Sequence, residues 1–243
     1  MSSLIQRADT AASAQEDRHG PLPALLFVLT AVTGLVDAVS YLQLGHVFVA
    51  NMTGNVVFLG FAAAGAAGFS AAASLVATGA FLVGALIGGR LGSQLGRHRG
   101  RFVAYATYIQ LFLFVVALAV SVVVADLSSG AAFFVLISLL AVAMGLQNAT
   151  ARRLGVPDLT TTVLTLTLTG LAADSRLAGS GGPRPTRRLA ATATMCLGAA
   201  VGAFLALRFG ISSVLALATA LLIFNALRVY RFPNSSEPWT AGT

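Results

Sequence analysis

Apolar tracts of about 20 residues recur along this chain, and a helix of that length crosses the hydrocarbon core of a bilayer. The composition agrees, because 57% of the 243 residues are hydrophobic and only 9% are charged. A typical soluble domain has about 25% charged residues. We therefore expect an all-α, polytopic transmembrane helical bundle, and the partner that it contacts is the lipid bilayer.

Eight apolar segments can be marked in the sequence. They cover about residues 22–43, 47–66, 70–92, 102–125, 131–150, 159–173, 189–208 and 211–230. The second segment opens with the polar cluster Asn51–Asn55, and the sixth is rich in threonine. Glycine and asparagine at membrane depth indicate helix ends or unwound backbone. Segments two and six are therefore predicted to be broken or re-entrant, and the other six to span the membrane.

The arginines test this topology, because all 15 basic residues are Arg and cytoplasmic loops favour basic residues. If all eight segments crossed, the arginine-rich stretch 90–101 would face outward. If segments two and six each enter and leave on one side, nearly every arginine falls inside and Arg208 alone stays outside. We expect both termini in the cytoplasm, with a flexible tail at 1–20, one transmembrane domain at 21–231 and a second tail at 232–243.

The two halves of the chain resemble each other. Residues 34–38 read GLVDA, and residues 145–149, which lie 111 positions later, read GLQNA. Residues 84–88 read GALIG, and residues 198–202, which lie 114 positions later, read GAAVG. The predicted repeats cover about residues 21–125 and 131–230. With three spans in each half the repeats would be inverted, which is a common transporter plan with its site near the membrane midplane.

These runs also carry a resemblance to a known family. Together with Tyr41, the cluster Asn51-Met-Thr-Gly-Asn55 and the pair Arg152-Arg153, they resemble the YoaK-like family of bacterial inner-membrane proteins, catalogued as domain of unknown function 1275. The resemblance covers about residues 22–230. It implies a multi-spanning protein of the bacterial inner membrane and suggests transport, without naming a substrate.

Asp37 is the only acid well inside an apolar span. An unpaired carboxylate is so unfavourable there that it either finds a hydrogen-bond donor or becomes protonated. It could bind a cation or carry a proton during transport. It could equally bond Asn51, Asn55 or a backbone amide and hold a helix break in place. Both interpretations stay open at the sequence level.

The cluster that follows Asp37 has the same two interpretations. Its amides, hydroxyl and glycine suit an unwound segment that contacts a solute. They suit a helix cap and an interhelical clamp equally well. The candidate site residues for a small solute are Asp37, Tyr41, Asn51, Thr53, Gly54, Asn55, Gln147, Asn148 and Thr165.

The expected function is a secondary transporter or channel-like permease for a small solute, proton- or cation-coupled through Asp37. The alternative is a membrane-embedded accessory or sensor subunit without transport activity. No metal-ligand spacing, phosphate-binding glycine motif or nucleophile turn occurs, so we expect no cofactor, no metal and no enzyme activity. No aromatic platform accompanies the net charge of +7, so no nucleic-acid partner is expected. A homo-oligomer is left open.

Overall fold

The computed structural model describes residues 19–124, 126–127, 129–157, 159, 164–173 and 185–241. The described residues form eight α-helices and no β-strand. The helices are α1 (Leu22–Gln43), α2 (Met52–Ala63), α3 (Ala71–Leu95), α4 (Arg99–Val123), α5 (Gly130–Leu154), α6 (Leu164–Ala173), α7 (Pro185–Phe209) and α8 (Ile211–Val229). The prediction of a polytopic helical bundle is confirmed.

Six of these helices are long and apolar enough to cross a membrane. They are α1, α3, α4, α5, α7 and α8. Helix α2 has 12 residues and is therefore about 18 Å long, which is well short of a hydrocarbon core of about 30 Å. Of the second predicted segment, residues 47–66, only Met52–Ala63 is helical, and residues 47–51 are non-helical backbone. The first part of the sixth segment, residues 160–163, lies outside the described residues.

The chain around α2 folds back on itself. Beyond α1 the backbone reverses at Gly45 and His46, whose φ angles of 73° and 55° lie in the left-handed region. The following residues run back along α1 until the backbone N–H of Ala50 reaches Asp37, 2.9 Å away. After α2 the chain returns, and the carbonyl of Gly68 lies 3.2 Å from the ring of His46. The loops before and after α2 therefore lie beside each other.

Two pairs of parallel helices pack backbone to backbone through glycines. In the α1–α7 pair, a Cβ on Gly34 would lie 2.4 Å from the carbonyl oxygen of Met195, and one on Gly198 would lie 2.5 Å from that of Ala31. Only glycine fits at such distances, which is the small-residue packing of membrane helices.

The α3–α5 pair has the same construction. A Cβ on Gly84 would lie 2.0 Å from the carbonyl oxygen of Val142, and one on Gly145 would lie 2.0 Å from that of Phe81. The glycine runs of the two predicted repeats thus meet crosswise. The run beginning at Gly34 faces the run beginning at Gly198, and the run beginning at Gly145 faces the run beginning at Gly84.

One end of the bundle gathers most of the described arginines, and we call it the arginine end. There the guanidinium of Arg99 donates to the carbonyl of Leu154 at 2.7 Å, which joins the start of α4 to the end of α5. Arg101 donates to the carbonyl of Pro233 at 3.1 Å, beyond the end of α8. Arg208, in the last turn of α7, lies at the opposite end.

The residues after α8 fold onto this arginine end. Trp239 is 4% exposed; its ring contacts Gly20 and packs edge-on to Phe232 at 4.8 Å. The ring of His98 lies 3.0 Å from the carbonyl of Ser235. Residues 232–241, expected as a tail, thus contact the start of α4, while residues 1–18 lie outside the described residues. The division into one membrane domain and two cytoplasmic tails stays a prediction.

Candidate functional site

Asp37 binds the backbone that leads into α2. Its side chain is 7% exposed, and Oδ1 accepts the backbone N–H of Ala50 at 2.9 Å. The amides of Val49 and Asn51 also face the carboxylate. A negative charge is favoured beside the N-terminal end of a helix, where unpaired N–H groups point outward. The sequence left Asn51, Asn55 or a backbone amide as partners of Asp37, and in the structure the partner is a backbone amide. The Asp37 carboxylate therefore fixes the start of α2.

Asn55 clamps the same loop from the other side. Its side chain is fully buried; Oδ1 accepts the backbone N–H of Phe48 at 2.8 Å, and Nδ2 donates to the carbonyl of Phe48 at 2.7 Å. One amide therefore satisfies both backbone polar groups of a residue that has no helical neighbour to do so. This geometry makes Asn55 a structural clamp within the cluster.

Tyr41 and Gly54 surround the ring of Phe48. The Tyr41 and Phe48 rings stack with centroids 5.2 Å apart, and Tyr41 also meets His46 edge-on at 5.2 Å. A Cβ on Gly54 would lie 2.6 Å from the Phe48 ring. Phe58 and Phe69 extend this aromatic group toward α3. Both predicted site residues therefore position the loop before α2.

Asn51 and Thr53 differ from their neighbours in the cluster. Both side chains are exposed, and neither forms a hydrogen bond with the described residues. Asn51 is the residue at the N-cap of α2, yet its side chain makes no capping bond. These two side chains are the ones in the cluster that remain available to a ligand.

Gln147 belongs to a buried chain of hydrogen bonds deeper in the bundle. Its Nε2 donates to the Thr33 hydroxyl at 2.9 Å and its Oε1 accepts from Gln110 at 2.7 Å. Gln110 and Gln147 are each 2% exposed, and Thr33 is fully buried. Thr33 lies four residues before Asp37 and therefore on the same face of α1. The chain joins α1, α4 and α5 one turn away from Asp37.

A small cavity of about 20 Å³ adjoins the hydrogen-bonded side chains of Gln110 and Gln147. It has room for about one water molecule. Its polar lining comes from the side chains of Thr107, Gln110, Gln147, Thr150 and Asn225. Asn225 is 1% exposed; its Nδ2 donates to the carbonyl of Leu25 at 3.3 Å, while Oδ1 has no partner within the described part of the chain. A buried acceptor of this kind normally binds water or a ligand.

The remaining two candidates lie apart from Asp37. The side chain of Asn148 donates to the carbonyl of Met144 in its own helix at 2.9 Å, and Thr165 is exposed on α6. No contact in the described part of the chain joins either residue to Asp37. The sequence reasoning also missed Gln110 and Asn225. Each is a side-chain amide inside an apolar segment, and polar residues at membrane depth often mark a functional site.

Comparison with known proteins identifies the family. A family model described as "Protein of unknown function (DUF1275)" matches residues 25–227. The chain is 35% identical over 154 residues to the UPF0700 transmembrane protein YoaK of Bacillus subtilis (strain 168), which is 62% of this chain and 65% of that protein. The chain thus spans less than two thirds of that relative's length. No solved structure matches. Because the family model covers most of the chain, this transmembrane protein belongs to the YoaK-like DUF1275 family.

Proposed function

We propose that this protein is a secondary transporter or channel-like permease that moves a small solute across the bacterial inner membrane. The observation that carries the proposal is a line of buried polar side chains inside the apolar core. We call it the polar track. It consists of Asp37, Thr33, Gln147, Gln110, Thr107 and Asn225.

A polar track inside the membrane lowers the stability of the fold, which favours a functional role for it. Polar and ionisable groups inside membrane segments are expensive and usually mark a pathway for substrates, ions or protons. Gln147 and Gln110 bond each other inside the apolar core. Beyond them, Asn225 lines the cavity, and its side-chain oxygen has no partner among the described residues. The lining has amides and hydroxyls but no charge, which suits a small neutral solute or water.

The crosswise glycine packing supports an inverted repeat. Helix α1 of the first half pairs with α7 of the second, and α5 of the second half pairs with α3 of the first. Residues 104–107 read AYAT and residues 216–219, which lie 112 positions later in α8, read ALAT. The polar track lies among α1, α4, α5 and α8, which are the corresponding helices of the two halves. Transporters with inverted repeats place their sites at this kind of interface.

We further infer that α2 is a re-entrant helix and that the arginine end faces the cytoplasm, as the positive-inside tendency favours. The protonation or cation binding of Asp37 would then change the position of α2. A proton or cation on the carboxylate would compete with the N–H of Ala50 for the same oxygen. The loop before α2 would be released when that hydrogen bond weakens, which gives a route to ion-coupled movement.

Reconstituted protein tests the proposal. We expect proteoliposomes to show faster swelling than empty liposomes in gradients of urea or glycerol, measured by stopped-flow light scattering. Gln147→Leu should remove this permeability because it interrupts the polar track. The matched control is Gln43→Leu, since Gln43 donates to the carbonyl of Ala206 at 2.6 Å away from the track. Equal permeability in both variants would refute the assignment of the track.

A second candidate is the accessory or sensor subunit. The bonds of Asp37 and Asn55 are satisfied within the chain itself, which favours a structural role for that part of the cluster. A folded wild-type protein with no permeability above empty liposomes, for neutral solutes or for protons followed with a trapped pH dye, would support this function over the permease.

A further inference from the structure

A second, larger cavity lies on the outside of the bundle, away from the polar track. It is a groove of about 790 Å³ between α3 and the last turns of α5. Its lining includes Phe81, Ala85, Gly89, Arg152 and Arg153. Gly89 and both arginines are exposed. The groove therefore opens on the surface that would meet lipid, near the arginine end.

No described acidic residue compensates the charge of the groove. Within the described chain, neither Arg152 nor Arg153 forms a hydrogen bond or an ion pair. The carboxylates of the described residues are Asp37, Asp126 and Glu237, and none of them lines the groove. The two guanidinium groups thus lie at one mouth of an apolar groove without an anion from the described residues.

The position of Arg153 is built into the packing. Its side chain lies across Gly92 of α3 and Gly96, which follows the end of α3, where a Cβ would come within 2.4 Å and 2.7 Å of it. Two glycines therefore hold the guanidinium against the end of α3. Deeper along the same helix, Phe81, Ala85 and Gly89 follow at four-residue spacing and form one apolar wall.

We propose that this groove binds one anionic phospholipid from the leaflet at the arginine end. Arg152 and Arg153 would bind the phosphate, since guanidinium groups are the preferred partners of phosphate oxygens. An acyl chain would lie along the wall formed by Phe81, Ala85 and Gly89. Basic pockets between helices at the cytoplasmic surface are suited to such headgroups. A second copy of this chain is a poor occupant, because each copy carries a net charge of +7 and the two copies would repel each other.

The test uses the full-length protein in neutral detergent micelles, titrated with phosphatidylglycerol or with phosphatidylcholine. Native mass spectrometry counts bound lipids, and thermal unfolding measures stabilisation. We expect one retained phosphatidylglycerol and a higher Tm with that lipid alone. The double variant Arg152→Gln/Arg153→Gln should weaken retention about 30-fold, as expected for two arginines that each interact with one anionic headgroup.

The matched control removes the same charge from the same end of the bundle. Arg228 and Arg231 are exposed and lie outside the groove, so Arg228→Gln/Arg231→Gln should leave retention within about threefold of wild type. A loss equal to that of the groove variant would show general surface attraction and overturn the proposal. Unchanged retention in the groove variant would overturn it as well.

Two further measurements separate the remaining occupants. Gly89→Phe keeps every charge and fills the apolar wall, where a Cβ meets nothing within 4 Å, so it should also reduce phosphatidylglycerol retention. Glycerol 3-phosphate at the same concentration should give no stabilisation, and equal stabilisation would assign a soluble anion instead of a lipid. A wild-type dimer that the Arg152→Gln/Arg153→Gln variant dissociates would assign the groove to a second copy.

Discussion

The Asn55 clamp supports a sharp prediction about the loop before α2. Replacing Asn55 with alanine removes both hydrogen bonds to Phe48, the acceptor at 2.8 Å and the donor at 2.7 Å. The Asn55 side chain is fully buried, so its removal leaves the backbone N–H and carbonyl of Phe48 without partners. We expect Asn55→Ala to release this loop while the spanning helices keep their packing.

The size of the effect follows from the two bonds. Leaving a buried polar group unsatisfied costs about 1–3 kcal/mol in soluble proteins. Side-chain hydrogen bonds in membrane proteins contribute less, about 0.6 kcal/mol on average and about 1.7 kcal/mol at most. Two lost bonds in this setting therefore lower the free energy of unfolding by about 1–3 kcal/mol.

Equilibrium unfolding in detergent measures this change, and hydrogen exchange locates it. The amides of Phe48 and Ala50 should exchange faster in Asn55→Ala than in wild type. Asn51→Ala is the matched control, because the exposed Asn51 side chain makes no capping bond, and it should stay within about 0.5 kcal/mol of wild type. If the two variants are equally stable and Phe48 exchanges at the wild-type rate, the clamp does not operate.

Three more outcomes follow from the packing and the topology. Gly145→Ala should destabilise the protein by about 1–3 kcal/mol in thermal unfolding, because the new Cβ would lie 2.0 Å from a backbone oxygen of α3. Gly79→Ala is the control and should be neutral or stabilising, because its Cβ would meet nothing within 4 Å. Asp37→Asn should destabilise by about 1 kcal/mol in chemical unfolding, since an amide oxygen still accepts from Ala50 but without charge; no loss would exclude a charge-assisted bond. Single cysteines introduced as His46→Cys and Ala67→Cys, in a background without the native cysteine, should react with a membrane-impermeant reagent from the same side, and labelling from opposite sides would exclude a re-entrant α2.

The spanning helices were predictable from sequence because their apolar runs match the bilayer in length. Helix α1 has the predicted bounds of 22–43, since the run ends at a turn with two left-handed residues. Helix α2 begins later than its apolar segment, at Met52. The residues before it are apolar because they are buried against α1, and hydropathy alone does not distinguish a buried loop from a helix.

The candidate site was predictable only in part, for a related reason. Membrane depth marks Asp37 and Gln147 as polar residues that need partners, and both are buried and bonded. The partners themselves come from contacts between distant segments. Gln110 reaches Gln147 across 37 residues of chain. The repeat stays a prediction, and its sequence pattern does not indicate that α1 packs on α7 and α3 on α5.

The crosswise packing also constrains how this protein can be made. The glycine face of α1 is met by α7, where Met195 follows Gly34 by 161 residues. At about 5–20 residues per second of synthesis, α1 waits roughly 8–30 s in the membrane for its partner. The glycine face of α1 has no helix to cover it during that interval, and the glycine face of α3 is uncovered for the shorter time until Val142 of α5 follows Gly84 by 58 residues. Neither half is then a self-sufficient unit, so gene fragments encoding the two halves should be stable only when they are produced together.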